Sequence, residues 1–163
     1  MQPGDVVLVD TNVIIEGHLR GCWKALAGGF ALETVDPCIV EAMTGKHDWQ
    51  GKRPSEAVLR AGFHEVHPVS QLELAAVLAA GGAGLDSGER ALWAHALART
   101  EAWILCGPDR ASMRFGYEQA QRNRIVSLEA LLSRVGAPTD RLRPHFEQKW
   151  LDKVMNDLVL GLL

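Results

Sequence analysis

Apolar residues along this chain fall into short unbroken runs, separated by longer stretches with helical spacing. Val6-Val7-Leu8-Val9, Ala31–Val35, residues 102–106 and Ile125-Val126 read as strands, and residues 65–69 as a shorter, weaker one. Runs that are apolar on both faces belong to parallel strands buried between two layers. Between them the spacing predicts helices over residues 12–27, stopped by Gly28-Gly29, and over 36–44, opened by the cap and first-turn proline Asp36-Pro37. Further helices are expected over 55–61 and 70–78, with a polar loop at 45–54 and a break at Gly81-Gly82-Ala83-Gly84. The clearest helix starts at Asp86-Ser87-Gly88-Glu89 and carries Leu92, Ala96 and Leu97, and two more cover 110–121 and 127–135, the last stopped by Gly136. This strand–helix alternation, sustained over about 130 residues, argues for a parallel sheet with helices on both faces.

Beyond Pro138 the pattern changes. Trp150, Leu151, Val154, Met155, Leu158 and Val159 recur at helical spacing opposite Lys149, Asp152, Lys153 and Asp157. This stripe must be buried, on the same domain or on a partner chain such as a second copy. The expected organisation is a domain over 1–137 followed by a C-terminal amphipathic helix within 138–163.

Composition narrows the picture. With 163 residues, one domain can bury most of its apolar surface without staples. Three widely spaced cysteines, Cys22, Cys38 and Cys106, fit neither a disulfide framework nor a CxxC zinc site, so a reducing cytoplasm is the expected setting. The N-terminal residues show no basic stretch leading into an apolar one, so no signal peptide is expected, and no apolar run approaches bilayer-spanning length. The net charge of −3 disfavours a protein that holds nucleic acid by electrostatics alone. It leaves room for an acidic site that needs cations before it can hold a phosphate.

Acidic residues at strand ends carry the candidate chemistry. Asp10 follows the first strand and Asp109 follows the strand at 102–106, each just before a helix. In open α/β sheets ligands bind in the crevice beyond the carboxyl ends of the strands. Glu41 lies in the helix after the second strand, and Glu89 stands three residues after Asp86. Each has a plain alternative: Asp10 and Asp109 as helix caps, Glu41 as a solvated helix residue, Asp86 and Glu89 as a capping-box pair. Converging on one cleft, they would repel one another and call for one or two divalent cations bound by oxygen alone.

These motifs resemble the PIN-domain nucleases. The likeness rests on Val6-Val7-Leu8-Val9-Asp10-Thr11-Asn12-Val13, Glu41, and Leu85-Asp86-Ser87-Gly88-Glu89-Arg90-Ala91-Leu92. It continues through Ile104-Leu105-Cys106-Gly107-Pro108-Asp109-Arg110-Ala111 and Ile125-Val126-Ser127-Leu128, so it spans residues 6–135. It implies a three-layer α/β/α domain around a parallel sheet of order 3-2-1-4-5. It also implies a Mg²⁺- or Mn²⁺-dependent endoribonuclease, with Asp10, Glu41, Glu89 and Asp109 as catalytic and metal-binding acids and Asp86 as the fallback for the third. Asn12 would steer a ligand or a bound water, and Arg90, Arg110 and Arg114 would hold flanking phosphates. Many members are toxins of toxin–antitoxin modules, which adds an antitoxin protein to RNA as an expected partner. Gly107-Pro108 stand where members often carry a hydroxyl or another acid.

Other readings compete. A regulatory module with a decayed site fits the Gly107-Pro108 departure. A phosphatase on a similar sheet would need a second aspartate where Asn12 stands. His64 and His67, three apart on a strand, face opposite sides and read as structural. The glycines at 81, 82 and 84 lack the lysine and hydroxyl of a phosphate loop. Trp93 and Trp103 lie within apolar patterns and read as core.

Overall fold

The computed structural model describes residues 1–51 and 53–163. Strands β1 (Val6–Val9), β2 (Ala31–Val35), β3 (Glu65–His67), β4 (Ile104–Cys106) and β5 (Ile125–Val126) form one all-parallel sheet in the order β3-β2-β1-β4-β5. Helices α1 (Thr11–Leu19), α2 (Trp23–Gly29), α3 (Asp36–Thr44), α4 (Glu56–Ala61), α5 (Gln71–Ala79), α6 (Ser87–Ala98), α7 (Arg110–Glu118), α8 (Leu128–Arg134) and α9 (Gln148–Val159) flank it in a three-layer α/β/α arrangement. The expected fold class and strand order are those observed. None of these helices is long and apolar enough to cross a membrane.

The sheet is apolar where it is central. Val7, Leu8, Val9, Leu32, Val35 and Leu105 are buried, as both-face burial of a parallel strand requires. Val9 lies level with Cys106, so the chain leaves β1 and β4 at the same height, and Asp10 N–H donates to the Cys106 carbonyl at 3.1 Å. The strand order reverses between β1 and β4, and this opens a crevice at their carboxyl ends.

Four elements differ from expectation. The strand expected over 65–69 ends at His67, before Pro68, which has no N–H to give the ladder. The single helix expected over 12–27 is two, α1 and α2, because the chain turns at Gly21 with φ +72°, a conformation that glycine adopts without strain. The helix expected to reach Gln121 stops at Glu118, where Ala120 takes φ +58°. The strand expected from residue 102 begins at Ile104, since the Trp103 carbonyl is taken instead by Arg124 Nη1 at 3.0 Å.

α9 buries Leu151, Val154 and Leu158 and packs against α7 and α8 of the same chain. The segment leading to it is tied down by Glu16 of α1. This fully buried carboxylate accepts from Arg143 N at 3.1 Å, Arg143 Nε at 2.8 Å and Arg20 Nε at 3.0 Å. Removing it would strand two guanidinium partners and one backbone N–H. Glu16→Ala is therefore expected to cost about 2–4 kcal/mol in urea unfolding, and a loss below 0.5 kcal/mol would show that the tie is unimportant.

Candidate functional site

Each candidate acid reaches the crevice by a different local device. Asp10 caps α1: its Oδ2 accepts from Asn12 N at 3.3 Å and from Asn12 Nδ2 at 3.1 Å. Asp109 caps α7, with Oδ1 accepting from Ala111 N at 2.6 Å and Ser112 N at 3.4 Å. Asp86 and Glu89 form a reciprocal capping box at the start of α6, Glu89 N donating to Asp86 Oδ1 at 2.8 Å and Asp86 N to Glu89 Oε2 at 3.1 Å. Glu41 Oε2 accepts from Thr11 Oγ1 at 2.8 Å. The capping readings of Asp10, Asp86, Glu89 and Asp109 are thus realised, and they leave chemistry open. Each of the five carboxylates commits one oxygen to hydrogen bonding within the chain and leaves the other without a hydrogen-bond partner among the described residues.

Two glycines let the acids approach. A Cβ on Gly107 would lie 3.2 Å from Asp10 Cβ, so the residue before Pro108 packs directly on the first aspartate. A Cβ on Gly88 would meet Glu41 Oε2 at 2.6 Å and Asp86 Oδ1 at 3.5 Å. The carboxylates of Glu41 and Asp86 therefore face each other across one missing methyl group. Asp86, the fallback of the sequence reading, belongs to the cluster together with Glu89.

The electrostatics follow from burial without compensation. Burial, reinforced by the charges of Asp86 and Glu41, pushes the Asp10 carboxyl up to about 7 in spite of the bonds from Asn12. Burial and the charges of Asp109, Asp86 and Asp10 push Glu89 up to about 9. No lysine or arginine among the described residues makes an ion pair with Asp10, Glu41, Asp86, Glu89 or Asp109, and the imidazole nearest to them is that of His47, with Nε2 4.0 Å from Glu41 Oε1. The other two buried acids differ sharply. Glu16 has Arg20 and Arg143, and Glu33 has Arg99.

The candidate phosphate-holding arginines divide. Arg90 turns away from the acids and binds backbone, with Nη2 2.7 Å from the Leu85 carbonyl and Nε 3.5 Å from that of Gly82, and so braces the turn before α6. Arg110 and Arg114 are exposed on α7 and make no ion pair or side-chain hydrogen bond among the described residues. Trp93 and Trp103 are core residues, and Trp93 Nε1 donates to Ser112 Oγ at 2.8 Å.

The sequence reading missed a second group. Among the described residues, the only set of three metal-ligating side chains whose donor atoms all lie within 4.8 Å of one another is Glu33, His67 and His95, which could hold a metal ion. The histidine that joins His67 is His95 on α6, and not His64. Adjacent strands and a distant helix bring the three together, so spacing along the chain carries no signal for them. The acids at the crevice ring it more widely. No family model matches this chain, and no curated protein matches it.

The raised carboxyls have a measurable consequence in metal-free protein. Asp10 and Glu89 hold protons more tightly folded than unfolded. The stability these two groups contribute is therefore fully present below about pH 4 and is lost as pH climbs through 7 for Asp10 and on through 9 for Glu89. Glu89→Gln keeps the capping acceptor and removes the charge. In EDTA its melting temperature is expected to decline less between pH 5 and pH 9 than that of the parent, and equal slopes would contradict the uncompensated charge.

Proposed function

We propose that the crevice at the ends of β1 and β4 is the active site of a Mg²⁺- or Mn²⁺-dependent endoribonuclease of PIN-domain type. The observation that carries this reading is the contrast among the buried acids. Glu16 and Glu33 are neutralised by arginine, whereas Asp10 and Glu89 sit among further carboxylates with no such partner. A hard divalent cation with oxygen ligands is the natural complement to such a set.

Asp10, Glu41, Glu89 and Asp109, with Asp86 beside them, would hold the cation through the oxygens not committed to capping. When bound, it would supply the charge that activates an attacking water and stabilises the leaving oxygen of a phosphodiester. Asn12 fixes the Asp10 carboxylate through its side-chain amide and so sets the direction in which the remaining oxygen is offered. Thr11 does the same for Glu41. Arg110 and Arg114, exposed on the helix that Asp109 caps, would meet phosphates flanking the scissile one. In the toxin–antitoxin setting that the resemblance implies, an antitoxin would regulate this site.

A second reading, a binding or regulatory module whose metal site has decayed, has one observation in its favour. No three of the five carboxylates bring donor atoms within 4.8 Å of one another.

Incubating the protein with single-stranded RNA and Mn²⁺ separates the two. Cleavage leaving 5′-phosphate and 3′-hydroxyl ends is expected, abolished by EDTA and lowered more than about 100-fold in Asp10→Asn, beyond what loss of an outer-shell partner costs. Cleavage that survives both EDTA and the substitution would overturn the nuclease reading. RNA bound without cleavage and indifferent to Mn²⁺ would favour the binding module.

A further inference from the structure

Glu33, His67 and His95 lie apart from the acidic crevice. Glu33 is level with Leu8 in the sheet, two residues below Asp10, and His95 follows Glu89 by about 9 Å along α6. Register with β3 places Glu65 beside Glu33 and His67 beside Val35, on the sheet face over which the C-terminal half of α6 lies. His67 Nε2 stands 2.8 Å from Glu33 Oε2, and the rings of His67 and His95 stack with centroids 4.0 Å apart.

The donor set is two imidazoles and one carboxylate, the mixture that a borderline ion such as Zn²⁺ takes and that Mg²⁺ does not favour. His67 is also oriented from behind. Its Nδ1 lies 3.5 Å from Glu65 Oε1, the side on which a carboxylate orients an imidazole that ligates through its other nitrogen. A cavity of about 400 Å³ opens beside the cluster, with Glu65, Glu73, Thr100 and Glu101 in its wall, so a cation has an acidic approach.

A positive group already occupies this place. Arg99 Nη1 lies 2.5 Å from Glu33 Oε2 and 3.0 Å from His95 Nε2, where it bridges the carboxylate and an imidazole nitrogen. Its fit is incomplete, because Arg99 Nε is buried without a hydrogen-bond partner. The carboxylates of Glu65, Glu73 and Glu101 line the same cavity and offer the guanidinium somewhere else to go.

We propose that Glu33, His67 and His95 form a second cation site, selective for a transition ion of the Zn²⁺ class, where Arg99 holds the ion's place until it binds. The ion would pin β2, β3 and α6 at one point, independently of the chemistry at the crevice.

Untagged full-length protein titrated with Co²⁺ as probe tests this through visible absorption. Bands are expected in the parent and in Asp10→Asn, lost in His95→Gln, and tightened about tenfold in Arg99→Ala, where a competing charged contact is gone. X-ray absorption of the Zn²⁺-loaded parent, which needs no substitution, should show two imidazole nitrogens at roughly 2.0–2.1 Å. Absence of bands in the parent would overturn the proposal. So would bands only in Arg99→Ala, which would make the arginine the permanent occupant. Bands lost in Asp10→Asn but kept in His95→Gln, or an all-oxygen shell around zinc, would place the ion at the crevice and overturn it equally.

Discussion

A carboxylate taken out of water must find a positive partner, keep a proton, or wait for an ion. Leaving it charged and unpaired costs several kcal/mol. This chain buries four acidic side chains and treats them in two ways. Glu16 and Glu33 receive arginines that arrive from elsewhere in the fold, at residues 143 and 99. Asp10 and Glu89 receive other acids. Evolution of a stable fold alone gives no reason to ring one crevice with five carboxylates and pair none of them with an arginine, and a bound cation does.

The sheet makes this gathering possible. Parallel strands end together, so the residues following β1 and β4 arrive at one height, and the reversal of strand order between them leaves room above. The helices that start there need caps, and an aspartate supplies one with a single oxygen. Capping and cation binding are therefore compatible uses of one side chain. The first holds the carboxylate in place, and the second uses what remains. Gly88 completes the arrangement by omitting a side chain that would meet both Glu41 and Asp86, and Gly107 by letting the turn after β4 close on Asp10.

Most of the fold was legible because it rests on local signals. Both-face apolar runs marked the strands, and Ser70, Asp86 and Ser127 announced their helices, whereas the strand order was implied only by the family resemblance. The break at Gly21 was missed because a lone glycine within helical spacing does not reveal its φ. Asp10, Glu89 and Asp109 could be named from their places at strand ends and helix starts, and Glu41 from its place within the helix after β2. The use of Arg90 as a brace could not, since an arginine beside an acid in sequence points elsewhere once it sits on a helix. Glu33, His67 and His95 were invisible for a stronger reason. Their meeting depends on strand register and on how α6 crosses the sheet, and neither is written in any short window of residues.

Calorimetric titration of Mn²⁺ near pH 7 in buffers of different ionisation enthalpy tests the uncompensated cluster most directly. Carboxyls that hold protons at that pH must release them when a divalent ion binds, so heat that scales with buffer ionisation and vanishes in Asp10→Asn is expected. Millimolar Mn²⁺ that produces no saturable heat, or the same heat in Asp10→Asn as in the parent, would contradict the claim that these acids are arranged around a cation.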